Sequence, residues 1–238
     1  MIKKVSLAIC MLLAVSCAEL QQVVNQLPTS TEGVLSNDAI ANGLKEALDQ
    51  GIEKQVSKLT QTDGFYKNEL VKIFLPEDLQ KVDKTLRDIG LGNLADEGLK
   101  VLNRAAEDAV SEATPIFVNA VKEMSFADAK NILLGSNDAA TTYLETKTTS
   151  ELYAKFNPVI SNSFQKVGAD KIWSSIITKY NAIPLTNNIN PDLTDYVTGE
   201  ALAGVYKMIA VEEEEIRTKY SSRTTDVLRK VFALQDKK

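Results

Sequence analysis

Glu213 and Arg217 have the spacing in this chain that most invites chemistry. Leu202, Tyr206, Ile209 and Ile216 recur at helical intervals, and at roughly 100° per residue they define one apolar face. Continuing that stripe puts Glu213 on the face and Arg217 beside it, one turn later. A glutamate four residues ahead of an arginine is the favourable order for a helix pair. One chemistry open to such a pair is ligand binding: the guanidinium grips an anionic group bidentately while the glutamate orients it. The other is structural, because two charges taken out of water must neutralise each other. The structural reading carries the greater weight. Glu212, Glu214 and Glu215 read as a solvated edge of the same helix.

Asn103-Arg104-Ala105-Ala106-Glu107 is the second constellation. Asn103 and Glu107 lie one turn apart on the flank of an apolar stripe, and Arg104 is within helical reach of Glu107 and Asp108. The pair either lines a polar cleft or, as the preferred reading, ties its helix to a neighbouring loop. Asp128 is the third residue of a helix capped by Ser125, which explains it without a ligand. Tyr143 and Thr141 offer hydroxyls to a cleft, although a helical tyrosine is commonly core with a wet edge. Glu107, Asp128 and Glu213 are the carboxylates available to a divalent cation. No calcium-loop spacing and no Glu-x-x-His pair accompanies them, so no metal and no cofactor is expected. A carboxylate-dependent hydrolase or lyase using Glu107 and Glu213 with Arg217 is the enzymatic alternative, and a non-enzymatic binding or structural domain is the leading one.

Composition narrows these choices. The 238 residues include no histidine, which removes Ser-His-Asp and Cys-His catalysis and the commonest metal ligand together. The net charge is −5, and −7 once Lys3 and Lys4 are removed with a signal. An acidic chain is poorly suited to phosphate backbones, so nucleic acid is not an expected partner.

Location is the most legible property. Lys3 and Lys4 are followed by the apolar run Val5 to Val15, and Ala14-Val15-Ser16 leads into Cys17. The run is shorter than the roughly 20 apolar residues that span a bilayer, and it reads as a cleaved secretory signal. It resembles the bacterial lipoprotein signal, which implies cleavage before Cys17 and lipid on its sulfur. Cys10 has only Val5 to Ile9 before it after the lysines, too little for a hydrophobic segment. More than one acyl chain gives stable attachment, at roughly 0.8 kcal/mol per buried methylene. With Ala18 after the cysteine, the lipoprotein class implies an outer-membrane address, the folded part facing the periplasm. A lipidated Cys17 leaves no second thiol in the mature chain, so no disulfide is expected. The expected partners are the membrane, through this anchor, and a protein or small anionic ligand.

The elements that position these residues read as all-α. The expected division is a signal over 1–16, a lipidated cysteine and polar tether over 17–35, and one bundle-like helical domain over 36–238. Ile40, Leu44, Leu48, Ile52, Val56 and Leu59 mark a first helix capped by Ser36 or Asn37, with a turn at Thr62-Asp63-Gly64. Pro76 to Gly90 forms the next, carrying Leu79, Val82, Leu86 and Ile89. Asp96 to Ala113 follows, with Leu99, Leu102, Ala106 and Ala109 making a small-residue stripe for a close neighbour. Thr114-Pro115 reads as a cap and first helical residue, Ser125 to Asp128 as a capping box, and Gly135 as a helix end. Helices are predicted over Asp138–Lys147, Ser150–Val167, with a kink or break at Pro158, and Ala169–Asn181, where Trp173 and Ile177 read as core. Ala182–Pro191 reads as a loop, Asp192–Lys219 as helical, in two pieces around Thr198-Gly199, and Thr225–Gln235 as the last helix. No run alternates apolar and polar residues as a strand would.

Several stretches resemble the bacterial lipoproteins of domain of unknown function 4197. They are Ala41-Asn42-Gly43-Leu44-Lys45-Glu46-Ala47-Leu48, Leu102 to Glu107, Phe126 to Ala129 with Ile132, Leu133 and Gly135, Ala139 to Tyr143, Glu213 to Arg217, and Val231-Phe232. Lys219-Tyr220 stands where the resemblance leads one to expect Asn-Pro, so the last helix is expected to enter at a different angle. The resemblance implies the fold and the address, and no activity.

Overall fold

Helical periodicity becomes helix along most of the chain, and no strand occurs among the described residues. The computed structural model describes residues 36–236 except 89, 91, 169, 172, 175, 176 and 179–191. These residues belong to one compact unit that begins at Ser36. The signal, Cys17, the tether, Ile89, the side chain of Leu86 and the loop read at 182–191 lie outside the description.

The described helices are α1 (Asn37–Leu59), α2 (Glu77–Asp88), α3 (Gly92–Val110), α4 (Ala113–Glu123), α5 (Phe126–Leu133), α6 (Ala139–Val167), α7 (Thr194–Thr218) and α8 (Asp226–Phe232), with a 3₁₀ turn at Tyr220–Ser222. The long helices α6 and α7 pack on each other and both on α3, while α1 packs against α4, α5, α7 and α8. The core between them is aliphatic and aromatic. Leu44, Ile52, Leu102, Phe117, Leu144 and Phe156 are almost wholly buried, and Trp173 and Ile177 are buried too. The small stripe of α3, with Ala105, Ala106 and Ala109 at 0–1% exposure, lets α6 approach closely.

Local signals set several ends. Ser36 caps α1 by accepting from the Ala39 N–H, satisfying one of the four orphan donors of the first turn. Ser125 and Asp128 form a complete capping box on α5. Gly90, at φ +82°, follows α2 in the left-handed conformation.

Other boundaries differ from the sequence reading. α3 stops at Val110, and Ala113 already belongs to α4, so Thr114 and Pro115 sit inside the first turn instead of capping it. Pro115 costs nothing there, because the first four N–H groups of a helix have no intrahelical acceptor. The two helices predicted over 138–167 are one, and α6 runs through Pro158. α7 likewise continues through Thr198-Gly199. α8 ends at Phe232, three residues short of the predicted Gln235.

Candidate functional site

The Glu213–Arg217 pair is buried and tied into the ends of two other helices. Arg217 Nε and Nη2 donate to Glu213 Oε1 at 2.9 and 2.8 Å. The remaining guanidinium hydrogens go to the carbonyls of Ile132 (2.8 Å) and Leu133 (3.2 Å) and to Gln235 Oε1 (3.0 Å). A guanidinium has five N–H donors, and all five are used. Glu213 accepts the backbone N–H groups of Ala140 and Thr141 at 2.9 and 2.8 Å, and the Thr141 hydroxyl at 2.8 Å.

These bonds solve a local problem. The cap residue of α6, Asp138, makes no side-chain cap bond. Glu213 of α7 takes over, satisfying the second and third N–H groups of α6 and placing a negative charge at the positive end of its dipole. Arg217 does the converse at the C-terminus of α5, where carbonyls lack intrahelical donors. The ion pair thus bridges the turn between α5 and α6 from across the bundle. With every guanidinium hydrogen engaged, Arg217 has no donor left for an anionic ligand.

Arg223 repeats the device one step on. It is 3% exposed and donates to the carbonyls of Ile216 (3.0 Å) and Arg217 (3.0 Å) at the end of α7. Its two terminal nitrogens grip Asp236 bidentately at 2.5 and 2.8 Å, holding that carboxyl below the usual range. The Phe232 ring lies against both arginines, 5.9 Å from Arg217 and 5.6 Å from Arg223.

The second constellation organises the connection between α1 and α2. Asn103, fully buried, accepts from the Ile73 N–H and donates to the Ile73 carbonyl, both at 2.8 Å, and its other amide hydrogen goes to Leu99. One side chain therefore satisfies both backbone groups of Ile73, in the stretch between α1 and α2 that is neither helix nor strand. Glu107 accepts from the Phe65 N–H (3.1 Å) and from Arg104 (2.6 Å). Arg104 reaches on to Asp63 at 2.6 Å. Asp63 adopts φ +68°, its carboxyl lowered chiefly by the hydrogen bond from Lys67. A Cβ on the next residue, Gly64, would stand 2.4 Å from the Leu59 carbonyl, so the turn admits only glycine. Tyr196 of α7 closes the connection by donating to the Phe74 carbonyl at 2.9 Å, and burial pushes its hydroxyl up to about 12.

The remaining candidates stay local. Asp128 accepts from the Ser125 hydroxyl at 2.7 Å and the Ser125 N–H at 3.0 Å, and these bonds lower its carboxyl. Tyr143 donates to the Ala120 carbonyl at 3.4 Å. Asn103, Glu107, Asp128 and Arg217 thus belong to three separate networks, and no hydrogen bond among the described residues joins Glu107 to Glu213. Glu107, Asp128 and Glu213 form no common oxygen cluster; among the described residues no three carboxylates or thiols gather around a point.

Glu212 departs most from its sequence reading. It is 8% exposed, and Lys54 Nζ stands 2.7 Å from it while Gln55 Nε2 donates to its Oε2 at 2.6 Å. It was expected on a solvated edge; instead it forms one wall of a cleft of about 290 Å³. The cleft lies between Ala47, Gly51 and Lys54 of α1, Glu212 and Ile216 of α7, and the segment Ser221 to Leu228. Beneath it, sharing Ala47, Gly51, Glu212 and Ile216, is an apolar cavity of about 20 Å³, room for one water. Neither Glu212 nor the serines of the 3₁₀ turn had a sequence signal as site residues, because the cleft is assembled from three helices.

No curated protein and no solved structure matches the chain. One family model does, that of the proteins of unknown function DUF4197, and it covers residues 34–233. The match runs from just before the Ser36 cap of α1 to just past the end of α8, so it takes in the cleft and all of both buried networks except Gln235. The chain belongs to that family.

Proposed function

We propose that the protein is a lipoprotein of the bacterial envelope that works by binding, with the cleft between α1, α7 and α8 as its ligand site. The lipid anchor is supported by the basic start, the apolar run and Cys17. The observation that carries the binding site is the cleft itself. It combines an apolar floor (Ala47, Ile216, Leu228) with a converging lysine, a carboxylate and hydroxyls, the makeup expected of a small-molecule site. The carboxylates an enzyme would need at Glu107 and Glu213 are occupied by backbone N–H groups, which favours binding over hydrolysis or lyase chemistry.

Two measurements test this reading. Replacing Cys17 by Ser should move the protein from the membrane fraction to the soluble fraction; membrane retention would refute the anchor. Native mass spectrometry of the purified lipoprotein should show a small molecule that a Gly51→Leu variant no longer carries. An identical spectrum from the two would refute the cleft.

A further inference from the structure

Gly51 is the unexplained residue of the cleft. A glycine inside a helix lowers stability by about 0.8–1.0 kcal/mol relative to alanine. Gly43, two turns earlier in α1, has a packing reason: a Cβ there would meet Val231 Cγ2 at 2.5 Å and Val227 Cγ1 at 2.8 Å. At Gly51 a Cβ would meet only Glu212 Cγ at 3.4 Å, an ordinary contact. Packing therefore admits a side chain that the cleft would lose room to accommodate.

The polar walls define what fits. Lys54 and Glu212 neutralise each other across the cleft, Lys54 being 61% exposed and Glu212 10% exposed at their side chains. The hydroxyls of Ser221, Ser222 and Thr224 make no hydrogen bond within the described structure. A simple anion that drew Lys54 away would leave the Glu212 carboxylate buried with Gln55 alone, an expensive state. A simple cation on Glu212 would release the exposed Lys54 to water, so that neither its charge nor the hydroxyls beside it would contribute to binding. A molecule carrying both charges replaces the pair without stranding either member. The volume of about 290 Å³, at the lower end of small-molecule pockets, suits a small metabolite.

We infer that the cleft takes a zwitterion of the α-amino-acid class with an aliphatic side chain. The ligand ammonium sits on Glu212, its carboxylate on Lys54 and the free hydroxyls, and its side chain lies over Gly51 and Ile216. This inference rests on the cleft being the binding site.

The test is calorimetric titration of the full chain in detergent micelles with leucine, isocaproate, which lacks the amine, and isoamylamine, which lacks the carboxylate. Leucine should bind at least tenfold more tightly than either analogue, since a site built for a polar group rejects a ligand lacking it. Lys54→Met, at an exposed position, should weaken leucine at least tenfold and tighten isoamylamine, whose ammonium then pairs the Glu212 carboxylate that Lys54 no longer meets. Gly51→Leu should abolish leucine binding, with Gly51→Ala as the folded control. Isocaproate binding as tightly as leucine, or no heat from leucine at about 10 mM, overturns the zwitterion. If leucine fails while native mass spectrometry still shows a molecule lost in Gly51→Leu, the ligand class falls and the cleft stands. If Gly51→Leu alters nothing in either measurement, the cleft falls as well.

Discussion

The two buried polar networks do the same kind of work by different means. At Glu213–Arg217, two full charges, 5% and 1% exposed at their side chains, close the ends of α5 and α6 from a third helix. At Asn103–Glu107, a neutral amide holds both backbone groups of Ile73, and the charged pair has one end, Arg104, one-third exposed while Glu107 is buried. The first network is all or nothing, since removing either partner strands a buried ion. The second is graded, because Arg104 can be hydrated and Asn103 carries no charge. The lesson is that a buried arginine on an apolar face is no evidence for a ligand until its donors are counted.

This contrast predicts a ranking. Glu213→Ala should be the most damaging change, lowering unfolding free energy by about 3–5 kcal/mol. It leaves Arg217 buried and the N–H groups of Ala140 and Thr141 without acceptors; urea denaturation would measure it. Asn103→Ala should cost about 1–3 kcal/mol, the price of orphaning the two backbone groups of Ile73. It should also open residues 65–75 to limited proteolysis while the helical circular dichroism persists. Arg104→Ala should cost less than Glu213→Ala, about 1–2 kcal/mol, because Arg104 and Asp63 are partly solvated and the buried Glu107 keeps the Phe65 N–H as a donor. An Arg104 effect as large as that of Glu213 would break the contrast.

The smallest expected effect is on pH dependence. Arg223 lowers the Asp236 carboxyl below its usual 3.8. A carboxylate with a depressed folded-state value contributes stability above the unfolded value and loses it as pH falls through the folded one. The contribution of Asp236 is therefore present at neutral pH and disappears below about pH 4. Asp236→Asn should flatten that acid limb of a melting-temperature profile. Asp49 acts in the opposite sense, since burial raises its carboxyl and its ionisation opposes folding.

Much of the fold was legible because it is local. Ser36, Gly90 and the Ser125–Asp128 box set helix ends through their own side chains or dihedrals, and the order of helices followed from periodicity. Pro158 misled, since loss of one N–H and a local clash did not end a helix packed along its length on α3 and α7. The Glu213–Arg217 pair was readable from four-residue spacing on an apolar face, yet its partners were not. Ile132, Leu133, Ala140 and Thr141 are some 72–85 residues away, and they contribute backbone groups that every residue has. Glu212 was read with Glu214 and Glu215 because runs of glutamate are normally solvated; only the position of α1 brings Lys54 and Gln55 against it. Arg223 gave no signal, because it follows a three-residue 3₁₀ turn and lies in no helix whose periodicity could show a face.

The most direct test of the saturated ion pair is the unfolding free energy of Arg217→Met, which keeps the length and apolar stem of the side chain. It should fall by about 3–5 kcal/mol, with Glu213 left buried and the carbonyls of Ile132 and Leu133 deprived of their arginine donors. Stability unchanged or raised would contradict the account and return Arg217 to the role of a ligand clamp, since sites held for binding are stabilised when their charge is removed.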